Sequence, residues 1–225
     1  MLAQDFFTKY KTDTVVHLKK MIIRHLFLIM SILFSFCSNT KAENSSAVFY
    51  DSKPEKILIV YLTRTNNTKA VAQIIRKYVG GKMVKLELVT PYPENYRQIV
   101  GQVHNENETG YLPPLKTQIE NIDQYDIIFI GFPTWDMQLP PPMKSFLHQN
   151  DLRGKTVIPF NTNGGYGVGS SFETVKKLCS ESDVLEGFSI KGGLERDGIL
   201  LSIKGEKAKV AEKKILEWLQ EIKIM

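Results

Sequence analysis

The chain has little cysteine, histidine and tryptophan: two, four and two residues out of 225. If the first 42 residues are removed, Cys179 is the only thiol left, so the remainder cannot form an internal disulfide. The apolar run at residues 26–36 has about 11 members, fewer than the ~20 of a membrane-spanning helix. No Gly-x-Gly-x-x-Gly pattern follows the first predicted strand. The remainder therefore has to fold on a hydrophobic core, for which about 180 residues are ample.

The N-terminal region carries the pattern of an export signal. Three basic residues precede the uncharged run at residues 26–36, and Ala42 closes the polar segment that follows it. A positive segment, an apolar segment and a small-residue cleavage site in this order are typical of a signal peptide. We therefore predict an N-terminal extension and signal peptide over residues 1–42, with the signal at about 21–42. A buried core helix is the alternative interpretation of the apolar run.

Two features of this region leave alternatives open. Met21 is a candidate start, since nothing before it has an element-like pattern. Cys37 lies just after the apolar run, where an attached lipid would anchor the protein to a membrane, although the bulky Phe36 before it argues against such processing. Residues 43–54 are small and polar and are predicted to tether a single domain at 55–225. The predicted location is periplasmic, or extracytoplasmic and anchored to a membrane.

The net charge of +5 comes mostly from the N-terminal region. Residues 1–42 hold six of the 29 Lys and Arg and two of the 24 Asp and Glu, which leaves a net charge of about +1 for the remainder. A near-neutral domain lacks the basic surface that binding to DNA or RNA requires. We therefore predict no nucleic-acid partner.

Two kinds of apolar pattern alternate beyond residue 55. Continuous apolar runs predict buried strands, strict alternation predicts a strand nearer an edge, and spacing of three to four predicts helices. The predicted strands are residues 56–62, 83–89, 126–132, 156–161 and 184–190. The predicted helices are residues 67–79, 143–148, 171–180 and 207–222, and residues 90–125 are mixed. Because parallel strands need right-handed crossovers, the sequence predicts a doubly wound α/β domain with a five-stranded parallel sheet.

Three polar loops follow the three buried strands, at residues 63–68, 131–140 and 161–170. Ligands of such sheets bind outside the carboxyl ends of the strands. The first loop is rich in Thr and Asn and opens a helix, whose free N–H groups and partial positive charge attract anions. The third loop holds four glycines, which let the backbone approach a ligand and present N–H groups to it. A plain flexible loop is the alternative interpretation of the glycines.

Trp135 and Tyr166 give two of these loops an aromatic residue. Trp135 lies among prolines and is either a core plug or a platform for a flat ligand, and as a lone residue it favours the plug. Tyr166 has no apolar partner nearby in sequence, which favours exposure or stacking. An anion site, a flat-ring site and backbone donors at one edge together describe flavin mononucleotide, FMN.

At these residues the chain resembles the flavodoxin-like family, and within it the proteins whose short second loop contains Trp. The resemblance covers residue 56 to the C-terminus and implies FMN as cofactor and a sheet of order 2-1-3-4-5. Asn66 replaces the glycine of the family's first-loop pattern, Thr/Ser-x-Thr-Gly-Asn-Thr, and because Asn tolerates a positive φ we expect the turn to survive. The other implied phosphate-loop residues are Thr63, Thr65, Asn67 and Thr68. The implied ring contacts are Pro133, Thr134, Trp135, Thr162, Asn163, Gly164, Gly165, Tyr166 and Gly167.

The resemblance implies an electron-transfer protein in which no residue acts as catalytic acid or base. His104 is expected to be an exposed residue rather than a proton donor. The near-zero charge of the domain gives weak steering toward a basic redox protein, so the partner is either a different redox protein or a small acceptor such as a quinone. An NAD(P)H-dependent FMN quinone reductase is the alternative, and a domain that has lost its cofactor is a third hypothesis.

Overall fold

A computed structural model describes residues 53–225. The predicted signal peptide, Met21, Cys37 and residues 43–52 of the predicted tether lie outside this range. Within residues 53–225, no helix is both long and apolar enough to span a membrane.

Strands and helices alternate along this range, as the sequence predicts. The strands are β1 (Ile57–Tyr61), β2 (Lys82–Lys85), β3 (Ile127–Pro133), β4 (Thr156–Asn163), β5 (Asp183–Val184) and β6 (Phe188–Lys191). The helices are α1 (Asn67–Val79), α2 (Tyr96–Thr109), α3 (Pro141–Gln149), α4 (Ser171–Leu178) and α5 (Glu206–Glu221). The strands pair in parallel in the order β2-β1-β3-β4-β5, and β6 also pairs with β4. The predicted α/β class and the order 2-1-3-4-5 are confirmed.

The central strands are buried on both faces. Every residue of β1 and β4 is buried, and β3 is buried as far as Phe132. Successive side chains of β1 enter two different cores: Ile57 and Ile59 pack with α1 and α5, while Leu58 and Val60 pack with α3 and α4. Helices therefore cover both faces of the sheet, which is why these strands appear in the sequence as continuous apolar runs.

β2 is four residues long, shorter than the strand predicted at residues 83–89. The Leu86 N–H still donates to Tyr61 O of β1 at 2.8 Å, and beyond Leu86 the chain pairs with a different segment. The Lys116 N–H donates to Glu87 O at 2.7 Å, and the Thr117 hydroxyl donates to Lys85 O at 3.0 Å. The predicted end of the strand is wrong because the apolar alternation there belongs partly to this side pairing.

The fifth predicted strand, residues 184–190, is divided into β5 and β6. The break includes Gly187, where a Cβ atom would lie 2.7 Å from the ring of Phe172. A glycine allows this close approach but weakens a strand. The sequence shows the apolar residues of both pieces and not the interruption between them.

Helix α2 lies within residues 90–125, where the sequence predicts only mixed structure. Asn95 caps its N-terminus by accepting hydrogen bonds from two amides of the first turn. The buried face of the helix consists of Ile99, Val103 and the carboxylate residue Glu106. A charged residue in the third buried position hides the apolar period by which helices are recognised.

Candidate functional site

The loops that follow β1, β3 and β4 meet in one cleft at the carboxyl edge of the sheet. Tyr61 of β1 lies opposite Gly131 of β3, and Pro133 of β3 lies opposite Thr162 of β4, so these strands end side by side. The predicted site residues that line the cleft are Thr65, Asn67, Thr68, Pro133, Thr134, Trp135, Thr162, Asn163, Gly164 and Tyr166. Four others, Thr63, Asn66, Gly165 and Gly167, belong to the same loops without lining it.

Helix α1 begins at the cleft and has the bounds that the sequence predicts. Asn66, just before it, has φ 64° and ψ 5°, the left-handed conformation expected at this position. No side chain of the described residues caps this helix, so the N–H groups of its first turn stay open to an anion. The first loop therefore keeps its turn with Asn in place of glycine.

The Thr63 hydroxyl at the start of this loop is buried and has no hydrogen-bond partner among residues 53–225. Leaving a buried polar group unpaired costs roughly 1–3 kcal/mol. A ligand oxygen bound by the first loop would remove that cost. The unpaired Thr63 hydroxyl and the uncapped N-terminus of α1 together suit an anionic group such as a phosphate.

The side chain of Asn67 is fully occupied within the protein. Its Nδ2 donates to Thr65 Oγ1 at 2.8 Å and to Leu200 O at 2.7 Å. Its Oδ1 accepts from the N–H groups of Ser202 at 2.9 Å and Ile203 at 3.1 Å. Asn67 therefore acts on a ligand by fixing the position of the first loop rather than through its own amide.

Hydroxyl groups join the three loops to one another. The hydroxyls of Thr68 and Thr162 are 2.9 Å apart and link the first loop to the third. The Thr134 hydroxyl donates to Gly167 O at 2.9 Å, and the Thr134 N–H donates to Thr162 O at 2.9 Å. The second and third loops are thereby held in one frame.

The third loop is closed on itself by Asn163. Its Oδ1 accepts from the N–H groups of Gly165 at 2.8 Å and Gly167 at 3.3 Å. Its Nδ2 donates to Asn161 Oδ1 at 3.2 Å and to Ser189 Oγ at 3.0 Å. Two of the glycine amides predicted to face a ligand are therefore used inside the loop.

Trp135 and Tyr166 both line the cleft. Trp135 is half-buried and also packs against the core under α3 and α4, so it is at once a plug and a wall of the cleft. Its ring meets Tyr92 edge to face, with ring centroids 5.4 Å apart and an interplanar angle of 89°. Tyr166 is 63% exposed, as its sequence context predicts. The two rings give the cleft aromatic surface on two different loops.

Tyr92, which supports Trp135, is itself held by a buried carboxylate. The Tyr92 hydroxyl donates to Glu106 Oε2, and Gln102 Nε2 donates to Glu106 Oε1 at 2.8 Å. Burial, with the hydrogen bond to Glu106, raises the pKa of Tyr92 far above its ordinary value. The phenol stays protonated, so it remains a donor to Glu106 over the whole physiological pH range.

The turn after Trp135 is strained. Asp136 and Met137 have φ values of 51° and 53°, and the Gln138 N–H closes the turn by donating to Trp135 O at 2.9 Å. The third loop fits tightly against this turn, since a Cβ atom at Gly169 would lie 1.9 Å from Met137 O. Contact between the second and third loops therefore holds the strained turn in place.

Helix α2 contacts the same turn through Asp136. His104 Nδ1 lies 3.3 Å from Asp136 Oδ2, and Asn107 Nδ2 donates to the same oxygen at 3.2 Å. Lys144 of α3 donates to Asn107 Oδ1 at 3.0 Å, and burial lowers the pKa of this lysine against an opposing effect of Asp136. The His104 side chain is 62% exposed and holds the surface of the turn.

The cleft has a fourth wall that the sequence does not predict. Residues 192–196, which follow β6, line it together with Tyr96 of α2 and Arg64 of the first loop. Arg64 Nε lies 2.8 Å from both carboxylate oxygens of Glu195, and its Nη1 donates to Pro93 O at 3.0 Å. Arg64 and Glu195 are 131 positions apart, so no local pattern links them. An arginine inside an otherwise neutral anion loop is the one local sign of this contact.

The cleft combines an open helix N-terminus, an aromatic wall and a glycine-rich loop along one edge of a doubly wound sheet. This defines a class of α/β domain suited to a phosphorylated, planar ligand. A family model described as Flavodoxin matches residues 56–204, more than half of the chain. The chain belongs to the flavodoxin family, as the loop motifs predict.

Two cyanobacterial flavodoxins are similar to this chain. The flavodoxin of Synechocystis sp. is 24% identical over 130 residues, which are 56% of this chain and 62% of that protein, less than two thirds of its length. A flavodoxin of Nostoc sp. is 25% identical over 148 residues, 64% of this chain and 72% of that one.

Two solved structures share the fold. A candidate flavoprotein from Bacteroides eggerthii is 29% identical with a TM-score of 0.61, over 76% of this chain and 99% of that one. A flavoprotein in complex with FMN from Lactobacillus acidophilus is 19% identical with a TM-score of 0.54, over 61% of this chain and 93% of that one. At the lower identity the likeness concerns the fold alone.

Proposed function

We propose that the protein binds FMN non-covalently and carries electrons. The observation that carries this proposal is the uncapped N-terminus of α1 at a cleft with aromatic walls, with the unpartnered Thr63 hydroxyl in the loop just before this helix. Neutral donors at a helix N-terminus suit a phosphate. Membership of the flavodoxin family and the FMN complex of the Lactobacillus acidophilus protein support FMN as the ligand.

The first loop would hold the phosphate, and the second and third loops would hold the ring. FMN supplies the redox chemistry when bound. The amides at the start of α1 and the hydroxyls of Thr63 and Thr65 would donate to the phosphate oxygens. Trp135 and Tyr166 offer faces on which a flat ring stacks. The apolar surface of Trp135 would disfavour added negative charge on that ring and so would lower its reduction potential.

The electron partner in this proposal is a redox protein or a small acceptor such as a quinone. Outside residues 1–42 the net charge is about +1, so long-range steering toward a charged partner protein is weak. Export through the signal predicted at residues 21–42, with or without a lipid on Cys37, is also part of the proposal. It would place the partner outside the cytoplasm.

Flavin analysis tests the proposal directly. The purified protein is expected to be yellow and to release about one FMN per chain on denaturation, and the flavin-free protein should take FMN up again. A colourless protein that does not bind added FMN contradicts the proposal. Rapid mixing with NADPH separates the carrier from the alternative reductase: a carrier keeps its flavin colour, whereas fast bleaching would favour the reductase.

A further inference from the structure

A second groove shares a wall with the cleft. Trp135 and Arg64 line both, and the groove continues along the ends of β1 and β2 past Leu62 and Leu86. The groove is open to solvent and has a volume of about 630 Å³, which is within the roughly 300–1,000 Å³ of small-molecule sites. Of the residues that form the cleft and its three loops, only Thr63, Arg64 and Trp135 also line the groove.

The groove is aromatic on one side and aliphatic on the other. Tyr92 and Trp135 both line it, and their rings stand at 89° with centroids 5.4 Å apart. Leu62, Leu86 and Ile99, all at least nine-tenths buried, form its apolar base. A flat ring can stack on one aromatic face there while its rim meets the edge of the other.

The charges around the groove cancel. Arg64 and Lys85 each have a carboxylate within 3.3 Å, that of Glu195 for Arg64 and that of Glu87 for Lys85. The two other charged residues of the lining, Glu94 and Lys116, have opposite signs. A nicotinamide dinucleotide brings a pyrophosphate that needs uncompensated cations, and the groove offers no excess of them. A neutral ligand fits this balance.

The outer wall of the groove is already formed. Leu88 makes an antiparallel bridge with Leu115, and the Glu87 N–H donates to Thr117 Oγ1 at 2.8 Å. These bonds fix the segment between β2 and α2 without a ligand. Preformed apolar walls lower the ordering cost of binding.

We propose that this groove binds a neutral, planar aromatic molecule of the quinone class. The use of such a ligand as electron acceptor rests on the proposed FMN function, because Trp135 and Arg64 line both the groove and the cleft. The binding itself needs no cofactor, and it is therefore tested first in flavin-free protein.

The two tryptophans of the chain make the binding measurable. The chain has only Trp135 and Trp218, and Trp218 packs in the other core, against Phe129 and Phe188. Titration with 2-methyl-1,4-naphthoquinone should give saturable quenching of fluorescence in a Trp218→Phe variant, where Trp135 is the reporter. A Trp135→Phe variant, which reports from Trp218, should show no saturable component.

A matched pair of surface variants locates the site. In the Trp218→Phe background, Val89→Arg at the groove should raise the apparent Kd at least tenfold. Val210→Arg on α5 should leave it unchanged. The two valines are 60% and 56% exposed, so neither change disturbs the core. Leu88→Arg on the same wall is a second groove variant and should weaken binding in the same way.

Three results would overturn the proposal: quenching that never saturates, equal weakening by Val89→Arg and Val210→Arg, or release of bound FMN by the quinone. Release would place the quinone in the cleft instead. Because the titrations of the Val89→Arg and Val210→Arg variants are made without flavin, they test the groove even if FMN binding fails. If FMN binds but the quinone does not, only the groove proposal is lost.

Discussion

The first and third loops of the cleft each contain a buried asparagine with a saturated amide, yet the two residues leave their loops in different states. Asn67 bonds mainly to residues 200–203, far along the chain, and the amides of its own helix turn stay open. Asn163 bonds to Gly165 and Gly167 and so closes its own loop. At the phosphate end of the cleft the N–H groups of the helix are left without partners inside the protein. At the ring end the third loop is held in one shape by its own hydrogen bonds.

This difference can be measured with two ligands. Riboflavin has the ring of FMN and lacks the phosphate. The dissociation constant of riboflavin divided by that of FMN therefore reports the phosphate end alone. A change in the third loop should weaken both ligands equally and leave the ratio unchanged. A change in the first loop should reduce the ratio. The predictions below run from the largest expected effect to the smallest.

Replacing Asn67 by Ala should have the largest effect. The change removes four hydrogen bonds and leaves the Ile203 N–H, in a buried residue, without its acceptor. We expect the free energy of unfolding to fall by about 3 kcal/mol, and the riboflavin-to-FMN ratio to fall at least tenfold. Urea unfolding and flavin titration measure the two effects. Asn105→Ala on the exposed part of α2 is the control, and a loss below about 1 kcal/mol for Asn67→Ala would contradict the role assigned to it.

Replacing Asn163 by Ala should cost less stability, about 2 kcal/mol. Gly165 is exposed and Gly167 half-buried, so water can replace part of what Asn163 Oδ1 supplies. The loosened loop should bind FMN and riboflavin about tenfold more weakly, with the ratio of their dissociation constants unchanged. A selective loss of FMN affinity would show that the third loop contacts the phosphate, and the contrast between the loops would fail.

Removing a buried polar group usually lowers the free energy of unfolding, but replacing Thr63 by Val should not. The hydroxyl is buried without a partner, so the flavin-free protein should keep its stability or gain up to about 1 kcal/mol. FMN affinity should fall about tenfold, equivalent to about 1.4 kcal/mol, while riboflavin affinity stays constant. Thr90→Val, at an exposed threonine, is the control and should change neither. If the Thr63→Val variant binds FMN as tightly as the unsubstituted protein, the Thr63 hydroxyl does not contact the phosphate.

The parts of the fold that the sequence predicts well are those where burial determines composition. β1, β3 and β4 are covered on both faces, and their predicted bounds are right to within two residues. Helix α2 is not predicted, because Glu106 occupies one of its buried positions and interrupts the apolar spacing of a helix. β2 is predicted too long, because its far end pairs with another segment, and the fifth strand is predicted without the break near Gly187, where a ring lies close to the backbone. Neither feature leaves a periodic signal.

The candidate site also has parts that the sequence predicts and parts that it does not. Its three loops can be predicted because each follows a recognisable buried strand. Its fourth wall cannot, because it follows the interrupted strand β6 and is held by the Arg64–Glu195 pair, 131 positions apart. The bonding of Asn67 and Asn163 is equally hidden: both are loop asparagines in the sequence, and only the three-dimensional partners show which one closes its loop.

Replacing Asn66 by Gly should have the smallest effect and tests whether the first loop depends on its unusual residue. Asn66 already has φ 64°, so glycine removes little strain and adds freedom to the unfolded chain, and stability should change by less than about 0.5 kcal/mol. FMN affinity should change less than about threefold. Asn121→Gly is the matched control, since Asn121 is also left-handed, at φ 52°, before a short helix away from the cleft. If Asn66→Gly strengthens FMN binding tenfold while Asn121→Gly does nothing, the Asn66 side chain obstructs the phosphate, and the first loop is less open than its unpaired donors indicate.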